Sequence, residues 1–166
     1  MILKNLGKYH LWAGHKIRTL LEDLNEEEFT RDLGDPVRNV RNICEHIVLA
    51  LEVCFVVICG DINLLKEKVL YIQNLTTQGL LQRWQVLDND LASALQSKPR
   101  GTVTVGHFPT PFTMNLVDFY FQYVNHTTYH RGQLIIALRM LEKPTVGTDY
   151  LMYFDELNKR VSGVSV

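Results

Sequence analysis

The sequence has few cysteines and no excess of either charge. Its 166 residues include three cysteines, an odd number without the paired spacing of a disulfide framework or a zinc ribbon. These are Cys44, Cys54 and Cys59, close together on one hydrophobic segment, so we expect reduced thiols in a cytoplasmic protein. Seventeen Lys plus Arg against eighteen Asp plus Glu give a net charge of -1. This balance gives no reason to expect nucleic acid or an anionic membrane as a partner.

Segments for membrane insertion or export are also missing. The longest apolar stretch, IVLALEVCFVVIC, contains Glu52 and is shorter than the roughly 20 residues of a membrane-spanning helix. The N-terminal stretch MILKNLGKYHLW soon reaches polar residues and has no apolar core of a signal peptide, so we expect none. Length and a hydrophobic content of 46% predict one soluble domain over residues 1–166, with a small molecule as the partner.

The spacing of apolar residues predicts four long amphipathic helices. The helices are expected over residues 3–24, 36–60, 77–98 and about 115–141. Asn25 and the EEE after it indicate the end of the first helix. Pro36, behind Asp35 as N-cap, suits the first turn of the second helix, and Gly60 suits its C-cap.

Three shorter segments complete the predicted fold. Residues 61–74 show no clear period and are expected to form a connection along the bundle. Between the third and fourth helices, β-branched alternation at residues 102–105, followed by glycine and two prolines, predicts a hairpin-like excursion. The stretch DYLMYFDELNKR predicts a short last helix. The predicted fold is all-α: a four-helix bundle with long crossover connections and a short hairpin-like excursion before the last long helix.

Two histidines stand four residues apart in the stretch NHTTYHRGQL of the fourth helix. This spacing differs by about 40° around the helix axis and ~6 Å along it, so His126 and His130 share a face and can bind one metal together. A catalytic zinc-type site has three protein ligands, and the third must come from another element. His46 lies on the inward stripe of the second helix with Ile43 and Ala50, which makes it the best candidate.

The alternative for each histidine is a core side chain with hydrogen-bonded ring nitrogens. Three histidines on two inward faces favour a metal site over this alternative. None of the six histidines has a glutamate three residues before it, so the Glu-x-x-His pairs of dinuclear carboxylate centres are absent. A mononuclear histidine-rich site suits Zn²⁺ or Ni²⁺, and it suits Fe²⁺ less because no carboxylate ligand is evident.

Several polar residues are candidates for the surroundings of the metal. Gln133 follows His130 by three residues and can reach the pocket rim or a water behind the ligands. The weaker candidates for this role are Glu52, Asn125 and Tyr129. No catalytic residue can be assigned, since no dedicated general base is evident and the cysteines do not share the face of the histidines.

The remaining residues of the region are assigned structural roles. Gly132 is expected to let another helix approach closely. Arg131 points about 100° away from His130 and is expected to make a salt bridge or to contact a loop carbonyl. His10 and His15 point about 140° apart and are expected in core or surface positions. A histidine at position 107 is expected in a loop.

The chain resembles the DinB superfamily, including its YfiT-like metal-dependent hydrolases and thiol-dependent S-transferases. The resemblance is carried by HIVLALE, by NHTTYHRGQLIIALRMLEKP with its specific HxxxHRGQ motif, by TDYLMYFDELNKR, and by YHLWAGHKIRTLLEDL in the first helix. It implies a divalent metal bound by three histidines in a four-helix bundle, at the positions His46, His126 and His130. The first helix lacks the asparagines of the family pattern Tyr-Asn-x-Trp-Ala-Asn, which leaves the substrate open.

Three functional hypotheses follow. The first is a metal-dependent S-transferase or hydrolase that activates a small thiol or water against a small electrophile. The second is a non-catalytic metal-binding protein of the stress response, and the third is a bundle with satisfied core histidines. A homodimer is expected, because Phe119, Tyr120 and Phe121 cannot all face one core.

Overall fold

The computed structural model describes residues 2–106 and 109–161, so position 107 and its predicted loop histidine lie outside the described residues. Within these ranges the chain forms seven helices and one two-stranded sheet. The elements are α1 (Ile2–Glu22), α2 (Glu26–Thr30), α3 (Val40–Cys59), α4 (Leu64–Gln73), α5 (Thr77–Gln96), β1 (Thr102–Val105), β2 (Phe112–Asn115), α6 (Leu116–Met140) and α7 (Tyr150–Val161).

The four long helices α1, α3, α5 and α6 build the bundle, which confirms the predicted all-α class. α1 packs along α5, and α3 packs against α5, α4 and α6. The apolar stripes of these helices meet in one core, whose largest fully buried side chains include Ile17, Ile47, Leu51, Trp84 and Leu134. Burying a side chain of this size stabilises the fold by about 1.5–3 kcal/mol.

Two glycines allow the close approach of α1 to α5. A Cβ atom on Gly7 would lie 3.1 Å from the backbone oxygen of Ala92, and one on Gly14 would collide with the carboxylate of Asp88. Gly132 was expected to play this role in α6, and that expectation is wrong. Gly132 is exposed, and nothing lies within 4 Å of its Cβ position.

The predicted end of α3 is confirmed, but its predicted start is not. Gly60 adopts a left-handed conformation with φ 81° and donates its N–H to the carbonyl of Val56, as a C-cap glycine does. The helix begins at Val40 and not at Pro36, which lies in the preceding turn. The N-cap is Asn39, whose backbone is extended and whose side-chain oxygen accepts the N–H of Asn42.

Two short helices were missed by the sequence analysis. α2 follows directly on Asn25, where Asn25 and Glu28 form a reciprocal capping box, so the EEE begins a helix as well as following one. α4 occupies the segment that we expected to be a connection. Ile72 is its one buried residue, which agrees with the weak apolar period of this segment.

The hairpin-like excursion is a two-stranded antiparallel sheet. β1 and β2 pair with Thr102 opposite Asn115 and Val105 opposite Phe112. Val105 is buried, and β1 packs against both α3 and α6. The hairpin therefore covers one side of the two helices that carry the candidate ligands.

The hydrophobicity of α3 is explained by its place in the core. By length and composition alone, this helix of 20 residues could cross a membrane. Its longest apolar run had suggested a segment too short to do so. Nine of its residues are buried, among them Ile47, Leu51 and Cys54 at 0% exposure. Its apolar face is thus covered by the other helices of the bundle.

Candidate metal centre

The structure brings the three candidate ligands together between α3 and α6. The ligand nitrogens of His46, His126 and His130 all lie within 4.8 Å of one another. The Nε2 atoms of His46 and His126 are 3.0 Å apart. His126 and His130 approach each other because one helical turn separates them, whereas His46 meets them only through the packing of α3 on α6.

This geometry fits one metal ion. Imidazole nitrogens bind Zn²⁺ at about 2.0–2.1 Å, and two such ligands about 90–110° apart are separated by roughly 3–3.4 Å. The 3.0 Å between the Nε2 atoms of His46 and His126 agrees with this separation. Neighbouring rings lie 4.4–5.1 Å apart between centroids, and the group contains no carboxylate. The candidate donors are therefore three imidazole nitrogens that lie close together.

The three histidines are held in the neutral form that binds metals. Burial lowers the pKa of His46 and His130 below the usual range of histidine. Burial, together with His130 and His46, lowers the pKa of His126 to about 4. A neutral imidazole offers a free lone pair, so no proton has to be displaced near pH 7 before the metal binds.

Gln133 orients one of the ligands. Its Oε1 atom lies 2.6 Å from Nδ1 of His130. The amide oxygen only accepts, so Nδ1 of His130 carries the proton and donates it to Gln133. This leaves Nε2 of His130 unprotonated and able to bind a metal, and Gln133 stands where a residue behind a histidine ligand usually stands.

The other three candidates for the surroundings of the site differ in their positions. Tyr129 places its ring edge-on to His130, 5.0 Å between centroids, but its side chain is 65% exposed. Asn125 is exposed. The expectation that Glu52 lies near the site is wrong, because this buried carboxylate pairs with Arg83 at 2.6 Å and with Lys68 at 3.2 Å. Glu52 lies six residues after His46 and so points about 240° away from it around the helix. Its ion pairs connect α3 to α5 and α4.

A cavity of about 520 Å³ adjoins the histidines. His46 and His126 form part of its wall, while the third histidine does not line it. The rest of the wall is mostly apolar and comes from α3, the hairpin and α6, including Leu49, Val53, Val105, Phe112, Met114 and Phe119. The cavity therefore adjoins two of the three candidate ligands.

Comparison with known families agrees with this arrangement. The family model of the DinB family matches residues 1–160. The chain belongs to the DinB family. No curated protein matches the chain. Membership of the DinB family is compatible with metal binding by the three histidines, and the metal itself is not identified by it.

A second polar cluster in this DinB-family chain was missed from the sequence. Asp88 is fully buried on α5 and accepts hydrogen bonds from Trp84 Nε1, at 3.1 Å, and from the guanidinium of Arg18. His10 Nε2 lies 2.7 Å from Asp88 Oδ1, without the alignment of a hydrogen bond. The available signal was the position of Asp88 on the apolar stripe, four residues after Trp84 and three before Leu91.

Arg131 is buried in the same region but makes no salt bridge with the residues that the structure describes. Its guanidinium donates to the hydroxyls of Thr128, at 2.6 Å, and of Thr127 and Tyr9, both at 3.3 Å. Tyr9 in turn donates to the carbonyl of Thr148 at 2.9 Å, so the predicted loop carbonyl is reached through a hydroxyl. Burial lowers the pKa of Arg131, while Tyr9 and the buried aspartate raise it. Arg131 thus ties the ligand-bearing helix to α1 and the segment before α7.

The first-helix histidines and the cysteines have no place in the metal site. His10 is fully buried in the second cluster and His15 is exposed. Cys44 and Cys54 are buried, and burial raises the pKa of both thiols, which removes them as nucleophiles. Cys59 is exposed at the end of α3.

Proposed function

We propose that the chain is a metal-dependent enzyme that transfers a small thiol to an electrophile or hydrolyses that electrophile. The observation that carries this proposal is the cluster of His46, His126 and His130, whose ligand nitrogens lie within 4.8 Å of one another beside a cavity. Three protein ligands leave at least one coordination position for a reactant, as in catalytic sites and unlike the four-ligand structural sites.

The three histidines would hold a divalent ion, Zn²⁺ or Ni²⁺ in preference to others because the ligands are imidazoles. When bound, such an ion lowers the pKa of a coordinated thiol or water and polarises an electrophile. The neutral ligands leave the full charge of the ion uncompensated. Gln133 holds His130 in the required tautomer, and the apolar wall excludes bulk water from the reactants.

In the transfer reaction the thiol sulfur forms a bond to the electrophilic carbon. The bond from that carbon to its leaving group breaks, the electron pair departs with the leaving group, and the thiol proton passes to solvent. In hydrolysis, the oxygen of water takes the place of sulfur. The cavity wall, as far as residues 2–106 and 109–161 form it, includes no carboxylate or lysine to serve as general base, so activation depends on the lowered pKa of the nucleophile.

Metal content is the first test. Purified without chelators, the protein is expected to contain about one divalent ion per chain, measured by elemental mass spectrometry. The His126→Ala variant is expected to lose the ion and to keep its helical circular dichroism. The matched control is His15→Ala, an exposed histidine outside the site, which should keep the ion.

Activity is the second test. The metal-loaded protein is expected to conjugate common cellular thiols to an aryl halide or to hydrolyse activated esters, and His126→Ala should not. A wild-type protein without metal would overturn the proposal, as would a His126→Ala variant that retains stoichiometric metal. Metal without any turnover would support the alternative, a non-catalytic metal-binding protein of the stress response.

We further propose that the protein acts as a cytoplasmic homodimer. Of the three consecutive aromatics on α6, Phe119 and Tyr120 are buried in the core, whereas Phe121 is 51% exposed. Leu151 on α7 is 82% exposed. Contact between two copies would bury this apolar surface, and light scattering during size-exclusion chromatography should give the mass of a dimer.

A further inference from the structure

The wall of the cavity beside the histidines is mostly apolar. α3 contributes Leu49 and Val53, the hairpin contributes Val105 and Met114, and α6 contributes Phe119. The described residues of the wall include no aspartate, glutamate, lysine or arginine. An ion placed there would lose its hydration without gaining a charged partner, whereas an apolar group gains free energy by leaving water.

Two residues with neutral polar groups also line the cavity. They are Gln122, which is exposed, and Tyr123, which is buried. Both can hydrogen-bond to a carbonyl, nitro or ether oxygen without requiring a charge on the ligand. An apolar pocket with a few polar groups is the usual form of a site for an uncharged organic molecule, and 520 Å³ lies within the usual volume.

The other side of His46 has the opposite character. A separate groove of about 270 Å³ also includes His46, but its wall contains Arg38, Asn42, Glu45 and Gln73. His46 therefore lies between an apolar cavity and a charged groove. Of these two sites, as the described residues line them, the apolar cavity also includes His126, so a reactant there can lie beside two of the three histidines.

We propose that the apolar cavity binds the electrophile and that this electrophile is an uncharged, largely apolar molecule. The hairpin contributes Val105 and Met114 to the wall that this molecule would contact. This inference rests on the proposed function, since it names the substrate class of the same site.

The test compares two probes of the same shape, 1-naphthylmethanol and the 1-naphthylmethylammonium ion. They differ in charge, and the ammonium ion has no lone pair to bind a metal. Calorimetric titration of the metal-loaded full chain should show the neutral probe binding at least about tenfold more tightly. Equal affinity, tighter binding of the ammonium ion, or no binding of either probe up to about 1 mM would overturn the inference.

Variants of the hairpin locate the binding site. Met114→Trp should fill the cavity and weaken binding of the neutral probe at least about tenfold, while Met114→Leu should keep it within about threefold. Metal content should be unchanged in both variants. If Met114→Trp does not fold, Val53→Trp fills the same cavity from α3. A folded Trp variant at either position that binds the probe as wild type does would contradict the assignment.

The His130→Ala variant separates this inference from the proposed function. His130 is a candidate ligand but does not line the cavity, so the variant should lose metal and still bind the neutral probe within about threefold. Preference for the neutral probe in a wild-type protein that purifies without metal would support the cavity inference and overturn the proposed function. A wild-type protein that holds metal but shows no preference for the neutral probe would support the proposed function and overturn the cavity inference.

Discussion

The bundle contains two groups of polar side chains, and each includes histidine. In the group around Asp88, the carboxylate of Asp88 stands beside His10 and Arg18, and all three side chains are nearly inaccessible to solvent. In the group between α3 and α6, histidines face one another without a carboxylate and adjoin a cavity. The surroundings, more than the residue type, separate a structural histidine from a candidate ligand.

The two groups also differ in whether their charges are compensated by neighbouring residues. Burial alone would raise the pKa of Asp88, but His10 and Arg18 lower it below the usual range, so the buried anion is compensated by its neighbours. The histidines between α3 and α6 are kept neutral by burial and have no counter-charge. The first group is complete without a ligand, whereas the second has lone pairs that a cation would satisfy.

Removal of the central carboxylate should have the largest effect. The Asp88→Ala variant leaves Arg18 and His10 buried without their partner and is expected to lower the free energy of unfolding by about 3–5 kcal/mol. Urea denaturation followed by circular dichroism measures this loss. The exposed Asp90 on the same helix is the control, and Asp90→Ala should change stability little. A loss below about 1 kcal/mol for Asp88→Ala would show that the first group does not hold the bundle together.

A change at Gln133 should weaken metal binding and leave the free energy of unfolding almost unchanged. Gln133→Ala removes the acceptor for Nδ1 of His130 and is expected to weaken metal affinity about 10–100-fold, with little change in unfolding. Competition with a chromogenic chelator measures the affinity. Asn125→Ala, an exposed amide on the same helix, should leave the affinity unchanged. If Gln133→Ala binds metal like the wild type, Gln133 does not orient the ligand.

Two glycines provide the smallest and most closely matched test. Gly14→Ala places a methyl group against Asp88 and should destabilise the protein by about 1–3 kcal/mol. Gly132→Ala adds the same methyl group at an open, exposed helical position and should stabilise it by about 0.5–1 kcal/mol. Thermal denaturation of both variants measures the difference, and effects of equal sign would contradict the packing described for α1 and α5.

Local patterns predicted most of the helices and the pair of histidines on α6. Asn115, Thr76 and Gly60 end or begin helices through contacts within a few residues, so their roles depend on neighbouring sequence alone. The spacing of His126 and His130 likewise acts within one turn. The failures at Pro36 and α4 arose where turn geometry or weak periodicity left the local pattern ambiguous.

Contacts distant in sequence account for what was missed. Glu52 was assigned to the candidate site from its helix, yet its partners Arg83 and Lys68 lie on α5 and α4. The close packing expected at Gly132 occurs instead at Gly14, because the neighbouring helix approaches α1 and not that part of α6. No sequence period states which helix will lie opposite a given face.

The sequence by itself determined the helical class and the two candidate ligands one turn apart on α6. It also suggested His46, although the expectation that His46 faces inward is wrong because this residue is exposed. Only the tertiary structure brought Nε2 of His46 to 3.0 Å from that of His126 and placed the hairpin over an apolar cavity beside them. The physical reason is the distance along the chain between the residues that interact. Helical periodicity depends on hydrogen bonds and side-chain contacts four residues apart, whereas a three-ligand site depends on how two helices about 80 residues apart pack together.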